Sequence, residues 1–172
     1  MTDVTGFSAR GDVGPPQVEG GERETLTAFL GYMREAVIAK AAGLTDEVGL
    51  APGVPSGTSL LGLVKHLTRV EYNWFVWGYA GDGGEQPLDD DAPPEAGETG
   101  EALIAAYQDA IRASDEIIAS CDDLGRRGAR SLRPGVAGPT MRWLLIHMIE
   151  ETGRHAGHAD ILREQTDGAT GR

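Results

Sequence analysis

Towards its end the chain reads His147-Met-Ile-Glu150-Glu151-Thr-Gly-Arg154-His155-Ala-Gly-His158, which sets Glu151 and His155 four residues apart. A carboxylate and an imidazole at that spacing point the same way off a helix. Far upstream a single histidine, His66, lies inside a second amphipathic run, Leu60-Leu-Gly-Leu-Val-Lys-His66-Leu-Thr-Arg-Val-Glu71. If two facing helices bring them together, His66, Glu151 and His155 offer three ligands to a divalent metal and leave a coordination position open for chemistry. Plainer alternatives stand beside this reading. A Glu and a His one turn apart often form only a side-chain pair, and a lone histidine beside an apolar face is often a partly buried core residue.

Helices are the elements that must position these residues. From Glu22, the residues Leu26, Phe29, Leu30, Met33, Val37 and Ile38 recur at three and four, and the pattern fades near Gly43-Leu44. The stretch Gly49 to Gly57, with Pro52 and Pro55, reads as a shaped loop. Thr58 or Ser59 caps a second helix. Projection at about 100° per residue places Leu60, Leu63, Val64, Leu67, Val70, Trp74 and Trp77 on one face. His66 falls on the flank of that face. Glu71 falls near its centre, so it is expected to be buried and partnered, by Arg154 or by a metal-bound histidine.

A long acidic loop follows from Gly81 to Gly97, with Asp89, Asp90 and Asp91 in succession. A third helix runs from about Thr99 to Cys121. After a basic, turn-rich link, Thr140 opens a fourth helix that extends to about Glu164. On the fourth helix Met141, Leu144, Leu145, Met148, Thr152, Ala159 and Leu162 make the apolar face. His155 lies close to the centre of that face, Glu151 near its edge, and His147 and His158 further out. Four amphipathic helices with no strand-rich stretch make an all-α four-helix bundle. The expected division is a flexible arm over residues 1–20, the bundle over 21–166 and a polar tail over 167–172.

The chain has 172 residues, enough for one domain with a real core, and 40 % are hydrophobic and 24 % charged, as in soluble globular proteins. A net charge of −12 argues against nucleic acid or anionic membrane as partner. No apolar run reaches the roughly 18 residues of a membrane span. The opening residues lack the layout of a signal peptide. Cys121 is the single cysteine, which excludes an intrachain disulfide and suits a cytoplasmic setting. No phosphate-binding Gly loop, serine elbow or Cys-x-x-Cys pair occurs. Trp74, Phe75 and Trp77 read as core and pocket wall, and Cys121 as an inert packing residue. Arg126, Arg127, Arg130 and Arg133 read as a solvated basic loop or as the holder of an anionic ligand.

Three segments together carry a family resemblance: Ser56-Gly-Thr-Ser-Leu-Leu-Gly-Leu-Val-Lys-His66-Leu, Glu71-Tyr-Asn-Trp74-Phe, and Glu150-Glu151-Thr-Gly-Arg-His155-Ala-Gly-His158-Ala-Asp160. They resemble the DinB-like superfamily, and within it the actinobacterial mini-circle branch related to the N-terminal domain of mycothiol-dependent maleylpyruvate isomerase. The resemblance implies a four-helix bundle, often a homodimer, with a divalent metal held by a second-helix histidine and an i, i+4 pair on the fourth. Those positions are His66, Glu151 and His155 here. Glu151 stands where many members carry a histidine, as in the maleylpyruvate isomerase branch. The implied metal is zinc first, with nickel, iron and manganese as alternatives. The implied activity is S-transferase or isomerase chemistry on a small-molecule substrate, with mycothiol or a similar thiol as co-substrate. Glu71, His158, Trp74 and Trp77 are expected in the surroundings of the site. The contrasting expectation is a non-catalytic metal- or ligand-binding bundle acting in stress response.

Overall fold

The computed structural model describes residues 13–171, and among these the protein is helical with no strand. Helix α1 spans Glu22–Ala41, α2 Asp46–Leu50, α3 Leu60–Glu71, α4 Gly100–Ser120 and α5 Met141–Asp167. Side-chain caps set three of the long starts: Ser59 accepts from the Gly62 amide, Thr99 from Ala102 and Thr140 from Trp143. Helix α5 ends where Gly168 takes a left-handed conformation (φ 77°), three residues beyond the expected Glu164. Most of the expected arm, residues 1–12, lies outside the described residues. Of the remainder, Val13 accepts a hydrogen bond from the Tyr32 hydroxyl at 2.8 Å.

Two features differ from the sequence expectation. The five-residue α2, capped by Thr45, forms just before the Pro52–Pro55 loop. Helix α3 does not continue as an α-helix through the aromatic run but passes into a π-helical segment over Tyr72–Ala80. The i→i+5 pattern turns each residue by less than the α-helical angle, so the face drawn from Leu60 drifts after Tyr72. Phe75 takes the fully buried position, while Trp74 is left half-buried.

Contacts fix the directions of the helices. Glu22 pairs with Arg142 and Lys40 with Asp160, so α1 and α5 run the same way. Lys65 meets Glu98 just before α4 begins, and Tyr79 meets Cys121 just after α4 ends, so α3 and α4 also run the same way. His66 near Glu151 and Trp74 near Trp143 make α3 and α5 antiparallel. A four-helix bundle with this order needs a connection from α3 to α4 that travels back the length of α3. Residues 81–99 are that crossover. The apolar core fills the space between the helices with Leu30, Val37, Val64, Leu67, Phe75, Tyr107, Leu144, Leu145 and Met148, each at most 1 % exposed.

Glu71 is fully buried, as its position on the α3 face requires, but its partner is neither Arg154 nor a site histidine. Arg34 of α1 donates to both carboxylate oxygens, each at 2.7 Å, and to Asp115 at 2.8 Å. A bidentate guanidinium satisfies the planar carboxylate, so Glu71 has no reason to reach the site. Removing one side alone strands a buried charge. Arg34→Met should therefore cost about 3–5 kcal/mol in chemical denaturation. The double change Arg34→Met with Glu71→Leu should recover most of that loss, and a double variant as unstable as the single one would contradict this account.

Candidate metal centre

Antiparallel packing of α3 and α5 brings His66 across from the Glu151 and His155 turn. Glu151 Oε1 lies 3.4 Å from His66 Nε2 and 3.0 Å from His155 Nε2. The two imidazole centroids are 4.7 Å apart, and one donor atom from each of the three residues falls within 4.8 Å of the others. Among the described residues this is the one group of three or more His, Cys, Asp or Glu placed to hold a metal ion. Glu151 turns its second oxygen towards Arg154, 3.5 Å away.

The protonation states suit a ligand set. Burial pushes the Glu151 carboxyl up, but the neighbouring His155, His66 and Arg154 outweigh it and hold the group below the usual range, so it is ionised. Burial, helped by the adjacent His66 ring, pulls His155 below its ordinary value against the pull of Glu151, which leaves it neutral. His66 Nδ1 sits 2.9 Å from the carbonyl of Asp90. A carbonyl can only accept, so Nδ1 carries a hydrogen and Nε2 is the nitrogen that faces Glu151 Oε1. These two atoms need a cation between them, either a proton or a metal ion. Two imidazoles and a carboxylate, one imidazole oriented through its far nitrogen by a backbone carbonyl, are a donor set that fits a divalent transition metal.

The crossover supplies that carbonyl in a regular way. Three successive carbonyls of the returning chain accept from residues on one side of α3 and its extension. Leu88 accepts from Asn73 Nδ2 at 2.9 Å, Asp89 from Arg69, and Asp90 from His66. Asn73 also accepts from the Leu88 amide at 2.8 Å, so its buried side chain pairs with the crossover backbone at two points. Neither Asn73 nor the Asp90 carbonyl is among the residues expected from sequence. A backbone acceptor carries no sequence signature, and an Asn seven residues beyond His66 becomes informative only once the loop is seen to lie on the helix.

His66 and His155 open onto a cavity of about 500 Å³ between the Ser56–Ser59 loop and the Asp90–Pro94 part of the crossover. A second cavity of about 370 Å³ shares Ser56 and Thr58 with it and reaches His158 and Leu162. His158 Nδ1 lies 3.4 Å from His155 Nδ1, so His158 does adjoin the group. Trp74 and Trp77 line neither cavity. The Trp77 indole donates to Gly84 at 3.2 Å beneath the Arg130 guanidinium, and so anchors the start of the crossover. Trp74 packs on His147 and Trp143 farther along α5. The π-helical turn accounts for both displacements.

The sequence profile of the family described as Mycothiol-S-transferase matches residues 25–168. No curated protein matches the chain. Among solved structures, the fold is similar to that of a conserved protein from Enterococcus faecalis, with a TM-score of 0.61 at 12 % identity over 87 % of this chain and 99 % of the other. At that identity the likeness speaks for the fold alone.

If Asn73 holds the crossover against α3, Asn73→Ala leaves both Leu88 backbone groups without their partner. Hydrogen exchange at Leu88 should then rise by about 10- to 100-fold, matching the roughly 1–3 kcal/mol of an unmade buried bond. The His66 ring nitrogens should lose their single-tautomer pattern in nitrogen-detected NMR. Unchanged exchange and an unchanged His66 spectrum would show that the crossover is held by other contacts.

Proposed function

The chain belongs to the mycothiol-S-transferase family, and on that premise we propose that it joins a low-molecular-weight thiol of the mycothiol type to a small electrophile at a divalent metal held by His66, Glu151 and His155. The observation that carries this reading is the convergence of two imidazoles and an ionised carboxylate on one point beside an open cavity. When bound there, a zinc-like cation supplies Lewis acidity that lowers the pKa of a thiol and makes a thiolate available at neutral pH.

The surrounding residues have tasks that follow from their positions. Asp90 and Asn73 keep His66 in the tautomer that exposes Nε2. The hydroxyls of Ser56, Thr58 and Ser59 edge the cavity and suit the polyol portion of a sugar-based thiol. His158, exposed and facing the adjoining cavity, is the residue we assign to carry the thiol proton to solvent. In the transfer a sulfur–carbon bond forms. The displaced group leaves with its electron pair, or, with an unsaturated electrophile, a proton adds to the neighbouring carbon. Among the described residues no helix is long and apolar enough to cross a membrane.

Elemental analysis of the full chain after dialysis against a weak chelator should give about one divalent metal per chain. The single variants His66→Ala and His155→Ala should each lose it. The loaded protein should consume a mycothiol-type thiol in the presence of an alkylating electrophile such as monochlorobimane, and the two variants should not. Metal retained without thiol consumption would make the protein a binding bundle. Absence of metal in the parent, even after reconstitution with zinc and nickel, would remove the metal reading altogether.

A further inference from the structure

Residues 124–149 contain five of the chain's thirteen arginines (Arg126, Arg127, Arg130, Arg133 and Arg142) and no Asp or Glu, in a protein whose net charge is −12. The segment is not a loose loop. Gly128 donates to the Pro139 carbonyl, while Ala129 and Arg130 donate to the Tyr79 and Gly78 carbonyls at the end of the π-helical segment. Gly138 packs so closely that a Cβ there would stand 2.2 Å from the Gly128 carbonyl oxygen. The basic link is thereby fixed against the aromatic end of α3.

Where the two meet there is a cavity of about 290 Å³, with Trp74 and Trp143 on one side and Arg127, Ser131 and Arg133 on the other. No acidic residue lines it, in contrast to the cavity at His66, which has Asp90 and Asp91 on its wall. The two indoles are tilted by 49° with centroids 5.6 Å apart, and Trp143 remains 42 % exposed although it is a large apolar side chain. His147 stacks on Trp143 and stands between this cavity and Glu151. Arg133 makes no ion pair with any described carboxylate, whereas Arg126, Arg142, Arg154 and Arg163 all do. Arg127 donates to the Gly138 carbonyl at 3.0 Å, which leaves Arg133 as the guanidinium available to a ligand. Aromatic faces beside such a guanidinium recognise a flat anion, with the ring stacked and the carboxylate taken by the fork of Arg133. The volume is at the small end for ligand sites and suits a molecule of one or two rings.

We propose that this cavity binds a small aromatic carboxylate. Trp143 lies eight residues from Glu151 on α5, about 12 Å at 1.5 Å per residue. The bound anion is therefore the recognition end of an electrophile whose reactive carbon extends past His147 towards the triad. That last assignment rests on the transferase reading, but the binding itself does not.

The test uses the full chain stripped of metal with a chelator, so it is independent of the metal site. Fluorine NMR titration of para-trifluoromethylbenzoate should show saturable binding at one site. The neutral para-trifluoromethylbenzamide should bind at least about ten-fold more weakly, as loss of a charge-assisted bond implies. Arg133→Gln and Trp143→Ala should each weaken the benzoate by a similar factor, whereas His155→Ala should leave it unchanged. Equal binding of acid and amide, or full binding in Arg133→Gln, would overturn the proposal and leave a solvated basic link. Loss of binding in His155→Ala alone would overturn it too, by placing the anion at the triad.

Discussion

The arrangement of this protein depends on one topological constraint: α3 and α4 run in the same direction. A chain leaving the π-helical extension of α3 at Ala80 must travel back along both before α4 can begin at Gly100. That return path is too long to cross solvent unsupported, and it is held by side chains of the helix it retraces. Asn73, Arg69 and His66 take the carbonyls of Leu88, Asp89 and Asp90 in turn. The third of these contacts orients an imidazole whose other nitrogen faces Glu151. A requirement of chain connectivity thus does the work that a dedicated orienting side chain does elsewhere. It also explains why the acidic loop lies at this end of the bundle: its backbone is needed there, and it brings Asp90 and Asp91 to the cavity at His66.

The interior shows a second division of labour. Two groups of ionisable side chains inside the bundle contrast with each other. Arg34 and Glu71 neutralise each other deep between α1 and α3, with Asp115 at the margin. His66, Glu151 and His155 lie nearer the surface beside a cavity. The first set has the Glu71 carboxylate fully taken by Arg34, although Arg34 and Asp115 border an open cavity of about 870 Å³ between α1 and α4. The second has a ring nitrogen facing a carboxylate oxygen, and an opening. Burial alone does not separate a structural charge from a functional one. What separates them is whether the hydrogen-bonding capacity is filled by the protein itself.

Much of this was legible in the sequence, because helical periodicity and end caps are local signals. Ser59, Thr99 and Thr140 mark helix starts by chemistry that acts within three residues. The spacing of Glu151 and His155 guarantees a shared helix face, and the position of His66 on the flank of α3 is what allows it to meet them. The partner of Glu71 was not legible. Its burial follows from the projection of α3, but Arg34 sits 37 positions earlier on another helix. Nothing local distinguishes Arg34 from Arg154 as a partner. The aromatic run misled for a different reason. Projection at a constant angle assumes an α-helix throughout, and the π-helical turn over Tyr72–Ala80 takes Trp77 away from the site and leaves Trp74 against Trp143.

Helix α5 ties these parts together. Along the side facing α3 it carries Trp143, His147, Glu151, His155 and His158, each three or four residues from the next. The environment changes steadily along that line. Near Trp143 the helix meets a link over residues 124–140 with four arginines and no acid, and near His155 it meets a loop of consecutive aspartates. The separation would favour an anion at the aromatic end and a cation at the triad. On the proposed transferase reading, an anion at Trp143 and a metal at the triad would sit on one side of α5 about 12 Å apart, the kind of fixed placement on which catalysis by proximity depends.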